Sequence, residues 1–148
     1  MVRLRAYIGL VKNGRLASLA EACAFLIVAS LLLRMLPFRV IALWLDRPLK
    51  RRKYTSRDRT RSYQRIRWAV ERGSQRLGST CFPRALAAHA MCRRRGLESV
   101  LYYGAVPARG GWNSHAWVKH GQTDFVGSEI APNYQVLAQF PGTASFEA

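Results

Sequence analysis

Acidic side chains, cysteines and histidines are all scarce in this sequence, and each scarcity removes a class of function. Eight Asp and Glu stand against 24 Lys and Arg in 148 residues, a formal charge of +16. A field of that sign favours an anionic partner, whether nucleic acid, a membrane surface or an acidic peptide, without choosing among them. The three cysteines (Cys23, Cys81, Cys92) are odd in number and widely spaced, so no disulfide framework is expected, which fits a reducing cytoplasm. With no Cys-x-x-Cys pair and only three histidines, a metal site is not expected either, nor is a cofactor. A long hydrophobic run is also missing. The uncharged stretch Ala22 to Leu33 falls short of the roughly 20 residues a spanning helix needs unless Glu21 and Arg34 are tolerated at its ends, and no A-x-A cleavage site follows it.

What is present divides into three zones that read together as one α+β domain. Residues 1–49 form an apolar helical hairpin, broken at Pro37, with a second short apolar piece from Phe38 to Leu45. Buried helices are the expectation for this hairpin, with peripheral contact at a membrane surface and a true span as the alternatives. Residues 50–76 hold the run Lys50 to Lys53, then Arg57, Arg59, Arg61, Arg65, Arg67 and Arg72, interleaved with Tyr54, Tyr63 and Trp68. Tyr63, Ile66 and Val70 sit at helical spacing, which predicts an amphipathic helix with a basic outer face. Residues 77–148 carry the chemistry. A helix is predicted from Cys81 to about Arg95, capped by Ser79 or Thr80, with Pro83 in its first turn and Gly96 past its end. Strands are predicted over Ser99–Val106, His115–Lys119 and Thr123–Val126, with a Gly-rich loop at Pro107–Asn113 and a turn at Gly121.

Cys81 stands out because it opens a helix. The free N–H groups and the dipole there favour a thiolate, Arg84 one turn on adds to the effect, and the following N–H groups suit an oxyanion. His115, at a predicted strand start, is the natural base, because imidazole titrates near working pH. Trp117 shares its strand face and shields the pair from water. Cys23 and Cys92 lie within predicted helices and read as core; His89 reads as structural and His120, in the hairpin turn, as solvated.

The segments CFPRALAAHAMCRRRGLESVLYYGAV and SHAWVKHGQTDFVGSEIAPNYQVLAQF resemble the transglutaminase-like (papain-like) core of the leader peptidases that mature lasso peptides, relatives of the microcin-processing protein. The Cys81, Arg84, Arg93-to-Gly96 and His115-to-Val118 elements match in order and spacing, and Arg-Met-Leu-Pro-Phe matches the family's opening. The resemblance implies a cytoplasmic cysteine protease with a nucleophile-bearing helix packed on a small antiparallel sheet. It implies that Cys81 attacks the bond joining leader and core peptide while His115 acts as base and acid. It also implies three partners: the precursor's leader region as substrate, a separate small leader-binding protein, and an ATP-dependent cyclase that closes the ring.

The family's orienting Asp falls at Gly127 here, with Ser128 beside it, and neither is a carboxylate. Asp124 and Glu129 are the nearby acids. A three-residue turn at His120–Gln122 pairs His115 with Gly127 and puts Glu129 on its face. A two-residue turn at His120–Gly121 pairs His115 with Val126 and puts Asp124 there. Asp124 is preferred because it lies within the strand; a backbone carbonyl is the other option. Set against the peptidase are a basic nucleic-acid-binding module, for which no recognised motif is present, and a membrane-surface scaffold without catalysis.

Overall fold

A computed structural model describes residues 14–142; the first 13 residues of the expected zone 1–49 and the last six of zone 77–148 lie outside the described residues. The apolar run of the first zone lies within α1 (Arg15–Met35). Leu19, Ala22, Leu26 and Ala29 recur along one face and are buried, as a helix needs for packing on a single side. Pro37 ends the run, and α2 (Phe38–Leu45) follows with Ile41 and Leu45 turned inward. The expectation of buried helices needs correction. Ile27, Val28, Leu31, Met35, Leu43 and Trp44 are all exposed, because only one side of each helix finds a partner.

The basic zone forms α3 (Ser56–Leu77). Thr55 caps it by accepting from the Asp58 N–H, and Asp58 places a negative charge at its positive end. Tyr63, Ile66, Ala69 and Val70 make the inner face, and the arginines face solvent. Gly73 lets α3 approach α1 closely, since a Cβ there would stand 3.0 Å from Leu26 Cδ1. Gly78, at φ 62°, takes the left-handed conformation that ends α3.

The next helix, α4 (Cys81–Arg94), is the centre of the molecule. Ala85, Ala87, Ala88 and Ala90 are small enough for α1 and α3 to pack on one side and a sheet on the other. Its C-terminal end is tied to α1 by Glu21, which receives Arg94 Nη1 at 3.1 Å and Arg95 Nη2 at 2.6 Å. Gly96 reverses the chain at φ 68°. A Cβ on it would stand 2.7 Å from both the Arg52 nitrogen and the Lys50 oxygen, so the start of the basic zone is docked there.

The sheet is antiparallel throughout, ordered β3-β2-β1-β4. It comprises β1 (Val100–Ala108), β2 (Gly111–His120), β3 (Thr123–Val126) and β4 (Gln135–Phe140), with a 3-10 segment at Ser128–Asn133 before β4. Helices followed by a small antiparallel sheet make the fold α+β, as the sequence predicts. Two details differ. The segment Pro107–Asn113 is not a loop but the tight end of the β1–β2 hairpin, with Ala108 paired to Gly111. His115 is therefore mid-strand, not at a strand start. In addition, β4 pairs along β1, a strand that the sequence reading does not assign.

Candidate active site

Cys81 is the first residue of α4 and is partly buried. Thr80 occupies the N-cap position with extended backbone, but its side chain makes no capping bond, and no acid sits in the first turn. The first-turn N–H groups are thus left without a side-chain acceptor, which suits them to an incoming negative charge. The Cys81 end of α4 meets the middle of the sheet through aromatic contacts. The rings of Phe82 and Tyr103 lie 5.6 Å apart, edge to face, and Tyr103 on β1 pairs with Ala116, the neighbour of His115. Phe38 closes the cluster, 5.6 Å from Phe82 and 5.8 Å from Phe140.

His115 is buried in β2 and pairs across to Gly104 of β1. Its Nε2 lies 2.6 Å from the carbonyl oxygen of Gly127. A carbonyl only accepts, so Nε2 carries the proton and donates it. In the neutral ring this fixes the tautomer and leaves the lone pair on Nδ1. Trp117 and Tyr134 hold the ring, with centroids 5.8 Å and 5.2 Å away. Trp117 in turn lies over Gly104, where a Cβ would stand 3.0 Å from its ring.

Arg84 links the two halves of the site. It sits one turn after Cys81, and its Nη2 comes within 3.5 Å of where a Cβ on Gly127 would stand. The helix that begins with Cys81 therefore reaches the very residue whose carbonyl orients His115. The Arg84 Nε is buried with no hydrogen-bond partner among the described residues. Beside Cys81 opens a cleft of about 870 Å³, lined by Leu26, Ile27, Phe38, Thr80, Phe82 and Ser114 among others. Ser114 immediately precedes His115, so cysteine and histidine segments border one cavity.

The expected orienting carboxylates stand elsewhere. Asp124 pairs with Lys119 Nζ at 3.1 Å and is largely exposed, and Glu129 is exposed with Arg67 Nη2 at 4.0 Å. The hairpin takes neither register considered from sequence. His120 pairs with Thr123 around Gly121–Gln122, Lys119 pairs with Asp124, and an irregularity then brings Val126 opposite Val118. That irregularity and Gly127, at φ 73°, carry the chain back so that a main-chain oxygen, not a side chain, meets the imidazole.

The other candidates are part of the core. Cys92 is fully buried, and burial pushes its thiol up to about 12. His89 is fully buried with Nδ1 2.8 Å from Ser99 Oγ, and burial first, then Arg93, lowers its pKa to about 3. His120 is not solvated as expected: its ring stacks on Tyr63 at 3.9 Å. Tyr63 is itself buried, and Tyr54 donates to the Arg95 carbonyl at 2.7 Å, so two of the aromatics among the arginines serve the fold rather than a nucleic-acid base. Tyr134 and the Gly127 carbonyl carried no sequence signal beyond their place after the histidine strand.

The family model of the transglutaminase-like superfamily matches residues 23–139, which takes in α4 and all but the last residue of the sheet. The chain belongs to the transglutaminase-like superfamily. No curated protein and no solved structure matches it significantly. Superfamily membership points to cysteine-protease-type or acyl-transfer chemistry, in which a thiolate forms an acyl-enzyme.

Proposed function

We propose that this chain is a cysteine peptidase that removes the leader from a ribosomally synthesised lasso-peptide precursor, with Cys81 as nucleophile and His115 as general base and acid. One observation carries the chemical part of this reading: the His115 Nε2 bond to Gly127 O, which leaves Nδ1 as the basic nitrogen of a ring whose strand packs against the helix that Cys81 opens.

The steps follow from the atoms at hand. The Cys81 Sγ proton passes to His115 Nδ1, and the thiolate attacks the scissile carbonyl carbon. The resulting oxyanion accepts from first-turn N–H groups of α4. As the C–N bond breaks, Nδ1–H gives its proton to the leaving amine. Water then attacks the thioester that joins the leader's carbonyl to Cys81; Nδ1 takes a proton from the water and returns it to the departing sulfur, which frees the leader as a carboxylate and restores the Cys81 thiol. Throughout, Gly127 O holds the ring by accepting from Nε2–H. Trp117 and Tyr134 limit its swing.

The substrate class rests on the sequence resemblance described above. By the same resemblance the chain works in the cytoplasm with a separate leader-binding protein, and an ATP-dependent cyclase consumes its product. The exposed arginines of α3 supply a docking surface for an acidic segment of that partner or of the precursor.

The test uses the precursor peptide, the leader-binding protein and this chain. Cys81→Ala and His115→Ala each abolish leader removal while circular dichroism shows the native fold. Normal cleavage by the Cys81→Ala protein sinks the mechanism. Intact chemistry on an unrelated acyl substrate, with no cut in the precursor, sinks the substrate class alone.

A further inference from the structure

We infer that the outward face of α1 and α2 docks on an anionic phospholipid bilayer. In α1, Ala17, Ala20, Ala24, Val28, Leu31 and Met35 recur every three or four residues, and all are exposed. They lie opposite the buried Leu19, Ala22, Leu26 and Ala29. A helix on the surface of a water-soluble fold presents charges on that side; this one presents none. The only charge between Arg15 and Arg34 is Glu21, and it is held by Arg94 and Arg95.

Length and composition would let α1 cross a membrane. Its inner face, however, is committed to α3 and α4, so it lies along a surface and does not span. The apolar face continues around the corner at Met35, which is 78% exposed, onto Leu43 at 68% and Trp44 at 44%. Between the two helices and α4 is a cavity of about 320 Å³ whose lining residues, Phe25, Val28, Leu32, Val40, Trp44 and Leu86 among them, are all apolar.

Charge selects the occupant. Arg34 and Arg39 are exposed at the borders of the face, and no acid lies between Glu21 and Asp46. A second copy of the chain would bring the same arginines, and another +16, against this face. An anionic bilayer supplies the opposite charge at headgroup depth and hydrocarbon beneath it, and a tryptophan suits the boundary. Ile27, Leu31 and Phe38 also line the cleft beside Cys81, so a docked bilayer borders its rim.

The experiment needs no enzymatic activity, so it stands or falls separately from the peptidase reading. The full chain is sedimented with vesicles of phosphatidylcholine containing about one-third phosphatidylglycerol, and with phosphatidylcholine alone. Binding is expected to the mixed vesicles, to weaken with salt, and to fall about ten-fold or more in a Leu43→Ser, Trp44→Ser variant. Arg34→Glu with Arg39→Glu is expected to abolish the preference for the anionic lipid. As a check independent of folding, brominated lipid is expected to quench the native protein's fluorescence more than that of Trp44→Phe. A chain that stays in the supernatant overturns the inference. So does undiminished pelleting of the double Ser variant, which assigns binding to the basic zone. A dimer dissolved by the same substitutions, with no vesicle binding, makes the face a protein interface instead.

Discussion

Lowering the pH from about 7.5 to about 5.5 should cost this fold about 1–2 kcal/mol through His89 alone. The residue is fully buried in α4, touches Ser99 Oγ through Nδ1, and leaves Nε2 without a partner among the described residues, so a second proton has nothing there to stabilise it. Burial and Arg93 hold its folded pKa at about 3, against 6.5 for a free imidazole. Between those values the unfolded chain binds a proton that the folded chain refuses. Stability from this group is therefore complete above 6.5 and drains away as pH falls towards 3. At about one unit below 6.5 the loss is set by the unfolded pKa, since the folded group is still neutral, which gives the quoted figure. The assay is urea unfolding followed by far-UV circular dichroism at both pH values, on the native protein and on His89→Gln. Gln keeps a polar group toward Ser99 and cannot titrate. Carboxylates and the other histidines are common to both proteins and cancel in the difference. Equal acid losses in the two would mean that His89 charges freely in the native state, and the account of the α4 core would fail.

Gly104→Ala is expected to destabilise by about 1–3 kcal/mol and to lower activity, because a Cβ would press on Gln135 O at 2.7 Å and on the Trp117 ring; unchanged urea unfolding would refute that crowding. Asp124→Asn should leave kcat intact and cost at most about 1 kcal/mol, since its partner is Lys119; a large kcat loss would restore it as the orienting acid. Iodoacetamide at neutral pH should modify Cys81 well before Cys92, which is sealed in the core with its thiol pushed up to about 12; equal labelling by peptide mapping would argue against the packing of α4. Arg57→Gln with Arg61→Gln, both on an exposed stripe of α3, should raise KM for the precursor several-fold with kcat kept; an unchanged KM would discharge the docking role.

Much of the fold was legible because local signals agreed with the final packing. Pro37 and Gly96 punctuate the helices where the sequence suggests, and β3 runs over the predicted Thr123–Val126. The β1–β2 hairpin was harder. Gly111, Asn113 and Ser114 have poor strand propensity, and pairing with β1 overrides it, which moves His115 into the middle of a strand. For β4, Gln135 to Phe140 offered a short apolar alternation, but its place beside β1 depends on a crossover that no local pattern encodes. The face of α1 was misjudged for a related reason: an apolar run announces burial, and composition alone does not say that only one side has a neighbour. Cysteine and histidine could be singled out by residue type. Their third companion could not, because it depends on an irregular strand and a left-handed glycine.

An oxygen that belongs to the peptide unit has a particular standing under mutation. Every amino acid brings one, so no exchange of side chain at position 127 deletes the acceptor for Nε2; only a change in the path of the chain does. The cost is geometric, since the path needs φ near 73° and a Cβ would crowd Ala116 O at 3.2 Å. Sensitivity is thereby moved from the chemistry of one side chain to the shape of the turn. In related chains, bends and insertions between positions 120 and 128 are where this imidazole would gain or lose its grip.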